Sequence, residues 1–168
     1  MDASEYLAFL PLLFYGIALA DLQVQWRRFF EPKHWYLPYF LATIMFTETA
    51  VWNVFGYLEI VGQMENISYY RYWLYLLQPM LYLIVVSALT PELNHPDTEQ
   101  FFRQRIPVVF GLMAVYLASH FTYDITGMSS VELTRIISIV ACIAIAISRR
   151  IELVYVLSVI WFASLFMR

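Results

Sequence analysis

Apolar residues fill six long runs, at 6–24, 35–60, 72–89, 106–126, 129–148 and 151–166, with polar clusters between them. A helix needs about 17 to 25 mostly apolar residues to cross a bilayer, so each run is long enough or nearly so. The last two sit at the lower limit. Inside the runs, the few polar residues recur at steps of three and four, the spacing that keeps them on one face of a helix. In the second run Glu48, Thr49, Trp52, Asn53 and Gly56 make such a stripe, and Ile44, Met45, Phe55 and Leu58 lie opposite. The stripe is expected to face protein or a cavity, and the opposite side lipid. Tyr75, Gln78 and Tyr82 share a face of the third run; Tyr116, His120, Tyr123, Asp124 and Gly127 share one of the fourth. The pattern predicts an all-α integral membrane protein, a bundle of six transmembrane helices forming one domain over residues 1–168.

Breakers and caps refine this picture. Pro11 and Pro79 fall inside runs and predict bends. Gly16 and Ala20 form a small-residue pair that lets a neighbouring helix approach closely. The longest polar stretch, 90–105, holds two helix-start signals, Thr90-Pro91-Glu92 and Pro96-Asp97-Thr98-Glu99. With Glu99 and Arg103 paired one turn apart and Phe101-Phe102 on the other side, it predicts a short interfacial helix in the third loop. Only Arg149-Arg150 separates the last two runs, which must form an antiparallel hairpin or one bent element. Asn66-Ile67-Ser68 matches a glycosylation sequon, but the tripeptide is too common to assign a compartment. Ala18-Leu19-Ala20-Asp21 loosely echoes Leu117-Ala118-Ser119-His120, which raises the idea of two three-helix halves of inverted topology.

Composition agrees with the membrane class. The chain is 61% hydrophobic and 14% charged, where soluble domains have about 45–50% and about 25%. Its mean hydropathy is +0.63. Thirteen Tyr and five Trp suit a chain that crosses the water–lipid interface repeatedly. A net charge of −3 and the lack of a basic run argue against a nucleic-acid partner or a polybasic tether. The single cysteine, Cys142, lies in an apolar run and reads as a small packing residue. Met1-Asp2-Ala3-Ser4-Glu5 has neither the positive start nor the cleavage site of a signal peptide, so the first run is expected to be a retained helix. Arg27, Arg28, Lys33, Arg103, Arg105, Arg149 and Arg150 fall on one side of the alternating topology and Arg71, Arg135 and Arg168 on the other, seven cations against three. The positive-inside bias places both termini outside the cytoplasm, in a cytoplasmic or inner membrane.

Ionisable residues at bilayer depth are costly and point to function by default. At about 1.5 Å rise per residue, Glu48 falls near mid-membrane and Asn53 about 7 Å further out. His120, Asp124, Glu132 and Arg135 reach the same outer half, whereas Asp21 sits near the inner end of the first run. Three readings stay open. In one, Glu48, Asn53, His120 and Asp124, with Arg135 as counter-charge, line a path or binding site for a proton, cation or small solute. In another, the same groups pair only to be tolerated in the core. In the third, His120 and Asp124, as ligands one turn apart, join Glu48 around a metal. Tyr75, Gln78 and Tyr82 are packing residues with satisfied hydroxyls or the wall of an amphipathic pocket. No P-loop, dinucleotide fingerprint or nucleophile elbow is present, and the polar segments are too short for a catalytic domain, so an intramembrane enzyme stays open but nothing in the sequence supports one. No cofactor is assigned. The expectation is a small channel- or transporter-like protein, alone, as a homo-oligomer or in a larger membrane complex. The alternative is a non-catalytic membrane subunit, scaffold or sensor whose polar cluster is structural.

Overall fold

A computed structural model of the chain describes residues 3–60, 67–92, 97–122 and 130–166. Every regular element among them is helical: α1 (Ala3–Trp26), α2 (Leu37–Ile60), α3 (Tyr69–Leu89), α4 (Thr98–Ser119), α5 (Ser130–Ser148) and α6 (Ile151–Leu165). Two 3-10 turns, Arg27–Phe30 and Pro32–His34, link α1 to α2, and a third, His120–Thr122, follows α4. Three stretches, Phe9–Phe30, Tyr69–Leu89 and Thr98–Thr122, are long and apolar enough to cross a membrane; α6 is apolar but shorter.

The third loop departs from expectation. No separate interfacial helix forms over 98–105, because these residues are the first two turns of α4. Asp97 caps the helix by accepting from the Gln100 backbone N–H at 2.9 Å, and Arg103 holds Glu99 at 2.7 Å one turn later. The helix then continues through Pro107, which removes one backbone donor near the polar end. At the other hairpin, Arg149 stops α5 in the left-handed region (φ 56°) while its N–H still closes on Ile145 O at 2.8 Å. An L-residue held there costs roughly 1–2 kcal/mol. The reversal packs α6 back on α5, so the hairpin alternative holds.

The helices close into a ring. α1 packs on α2 and α3, α3 on α4, α4 on α5, α5 on α6, and α6 returns to α2. α2 also touches α3 and α4 across the middle. That explains why Met45, expected to face lipid, is fully buried instead. The two halves do not repeat one another: α1 packs extensively on α3, but α4 makes no comparable packing on α6 among the described residues.

Side chains fill the centre of the ring in two layers. Tyr15, Tyr82 and Tyr116 are fully buried and pack ring to ring, with centroids 5.4 Å apart for Tyr15–Tyr82 and 5.0 Å for Tyr82–Tyr116. Beneath them Phe46, Phe110, Phe102 and Tyr39 meet edge to face at 5.7–6.4 Å. Such aromatic pairs add roughly 0.5–1.5 kcal/mol each beyond the area they bury. The outward surface is apolar as well, with Ile136, Val140, Ile143 and Ile147 of α5 and Val156 and Val159 of α6 exposed.

Candidate functional site

The site starts on α2. Asn53 lies five positions after Glu48, and at about 100° per residue their side chains leave the helix about 140° apart. Asn53 turns toward α4 and Glu48 toward α6, so the stripe divides between two neighbours.

On the α4 side, the Asn53 amide nitrogen donates to Thr49 O, one turn back on α2, at 2.7 Å. This bond orients the amide and presents Oδ1 to His120, whose Nε2 lies 3.2 Å away. The other ring nitrogen, Nδ1, lies 3.1 Å from Tyr116 O, one turn back on α4. A carbonyl only accepts, so this contact is a hydrogen bond when Nδ1 carries a proton. The imidazole also stands edge-on to the Tyr116 ring at 4.8 Å. From Tyr116 the polar line continues inward, its hydroxyl meeting that of Tyr15 at 3.4 Å. Tyr82 donates to Phe46 O, and Tyr57 donates to Tyr75 O at 2.6 Å. Gln78 is buried on the face of α3 that carries Tyr82. The Asn53–His120 pair and the Tyr15–Tyr116 hydroxyl pair thus meet at Tyr116, whose backbone carbonyl faces the imidazole and whose ring carries the second contact.

On the α6 side, Trp161 donates its indole N–H to Glu48 Oε2 at 2.6 Å. Glu48 also lines an open-sided cavity of about 520 Å³ with Trp26, Ile44, Thr47, Val51, Trp52 and Phe55. Arg135 of α5 stacks over Phe121 with its guanidinium carbon 5.6 Å from the ring centroid. Asp21 is half-buried on α1. Asp124 and Tyr123 lie outside the described residues. No three His, Cys, Asp or Glu side chains converge in a manner that could hold a metal among the described residues.

A third polar group has no counterpart in the sequence reading. Arg28, in the 3-10 turn that follows α1, is 5% exposed. Its Nε donates to Gln25 Oε1 at 3.0 Å, Nη2 donates to Glu92 O, and Nη1 reaches Thr98 Oγ1 at 3.5 Å. Gln25 in turn donates to Pro91 O at 3.3 Å. The first and third loops are therefore latched on one face, the face the positive-inside rule assigns to the cytoplasm. By sequence Arg28 is one more flanking cation; its only local signal is Gln25 one turn earlier. Trp161 and Tyr15 carry no signal beyond being aromatic.

No known family model matches the chain, and neither a curated protein nor a solved structure does.

Proposed function

We propose that this chain is a small channel- or transporter-like membrane protein that moves protons, ions or a small polar solute through the polar interior of its outer half. The observation that carries the reading is the setting of His120. Both ring nitrogens face oxygen atoms, Tyr116 O and Asn53 Oδ1, while the Asn53 amide is anchored by its nitrogen on Thr49. A neutral imidazole donates from one nitrogen only. A second ring proton completes the contact with Asn53. Its loss turns a lone pair toward Oδ1 and drives the amide to flip, giving up Thr49. One proton is thereby coupled to one side-chain rotation beside a line of tyrosine hydroxyls, as a relay or gated binding site requires. Asp124 and Arg135 extend this reading toward the outer end, with Arg135 as the counter-charge.

A second reading, a non-catalytic subunit, scaffold or sensor, draws on the inner half. There Phe46, Phe102 and Phe110 interlock as an apolar band, and polar groups elsewhere serve to fix packing.

Flux through liposomes across about pH 5 to 8, the range in which histidine titrates, separates the two. Proton or cation flux is expected from the wild type and is expected to fall at least about tenfold in His120→Gln, the size of effect that a lost 1.4 kcal/mol of site free energy produces. Equal flux in the variant removes His120 from the path. Absence of flux from folded wild-type protein under every gradient moves the assignment to the subunit reading.

A further inference from the structure

The outward face of α2 carries a groove that the polar column does not use. Thr47, Glu48, Val51, Trp52 and Phe55 follow Ile44 at offsets of 3, 4, 7, 8 and 11 residues, one helix face about 16 Å long by helical rise. Trp26, the last residue of α1 and so at the end where α2 begins, completes the lining. The volume, about 520 Å³, falls among small-molecule sites, which run from about 300 to about 1,000 Å³. The groove is open-sided, and Val51, Trp52 and Phe55 are exposed. The Thr47 hydroxyl is turned onto Thr43 O at 2.8 Å, which leaves the Glu48 carboxyl as the strong polar group of the wall. Trp161 holds that carboxyl from behind through the bond at Oε2, so it is pre-positioned rather than mobile.

The chemistry selects the occupant. A carboxylate about 16 Å from one end and about 18 Å from the other end of a helix in lipid favours a positive partner. A metal ion or a small ammonium must shed a tightly held water shell to reach it, whereas a bulky cation with spread charge and aromatic substituents sheds little. Indole rings are also the best faces for such a cation. We propose that the α2 groove binds lipophilic aromatic cations, taken up sideways from the bilayer, with the ligand charge at Glu48 and its rings against Trp26 and Trp52. The proposal needs α2 to lie in the bilayer and does not rest on flux through the His120 column.

The test is equilibrium binding of tetraphenylphosphonium to the purified full-length protein in micelles, corrected for partition into empty micelles. Saturable binding is expected, with affinity falling at least tenfold in Glu48→Gln and staying within twofold in His120→Gln. Tetraphenylborate, of like shape and opposite charge, is expected not to compete; because this arm uses wild-type protein, it reads the charge requirement even if Glu48→Gln fails to fold. Val51→Trp, which fills the groove without touching the carboxyl, is expected to lower affinity as well. The proposal is overturned by non-saturable binding to folded wild type, by equal affinity in Glu48→Gln, or by equal competition from tetraphenylborate. It is also overturned if crosslinking places a second copy of the chain in the groove and no cation binds.

Discussion

Replacing Arg28 by Met keeps most of the apolar stem and removes the guanidinium that joins the first and third loops. Two of its described acceptors, Gln25 Oε1 and Glu92 O, lose a close donor. Gln25 Oε1 belongs to a side chain 4% exposed, so it bears the full cost of a buried unsatisfied group, about 1–3 kcal/mol. Glu92 is exposed, so its carbonyl rehydrates and adds only about 1 kcal/mol. The 3.5 Å contact to Thr98 is at the geometric limit and contributes little. The expected loss is about 2–4 kcal/mol, which at about 2–4 °C per kcal/mol for a chain of about 150–250 residues lowers Tm by about 4–16 °C. The protein carries its own reporter: Cys142 is the single cysteine and is buried, so a thiol-reactive maleimide dye lights up only on unfolding. Gln25→Leu and the double variant complete the cycle, and the double is expected to cost less than the two singles combined, because each single strands the other's partner. A Tm for Arg28→Met within about 2 °C of wild type refutes the latch, since that shift is at most half the smallest value derived.

Two further substitutions probe other parts of the molecule. Tyr82→Phe removes a buried hydroxyl that donates to Phe46 O but leaves that carbonyl its place in the α2 ladder. The expected cost is about 0.5–1.5 kcal/mol, read as a small drop in Tm in the same dye assay; no drop shows the bond contributes nothing net. Outside the bundle, the hydrogen bond and charge of Lys33, 3.2 Å away, hold the Glu31 carboxyl below its usual range. A depressed carboxyl adds stability at neutral pH that is lost as pH falls through the carboxylate range. The pair is exposed, so Lys33→Ala is expected to let the Glu31 pKa rise by NMR titration without moving Tm. An unchanged Glu31 titration contradicts the assigned cause.

Apolar runs and polar punctuation alone located all six helices, because a helix in an apolar setting buries its own backbone polar groups and shows as an uninterrupted stretch. The same rule misjudged residues 98–105. Hydropathy reports where a side chain rests, not whether the backbone ladder continues, so two polar turns of α4 read as a separate helix. Spacing put Asn53 and His120 on the polar faces of their helices, and the fold brings the two faces together. It could not divide the α2 stripe, since two residues about 140° apart belong to one broad face until the neighbours are known. Met45 shows the same limit, for only the position of α2 inside the ring buries it. Glu48 with Trp161, Tyr15 with Tyr116, and Arg28 with Glu92 are pairings between residues remote in the chain. Local periodicity picked out the faces of α3 and α4 that carry the buried Gln78, Tyr82 and Tyr116; only the packing of the ring decided which sides of α2 are covered and which helix each face would meet, because that choice depends on shape and on partners no single segment contains.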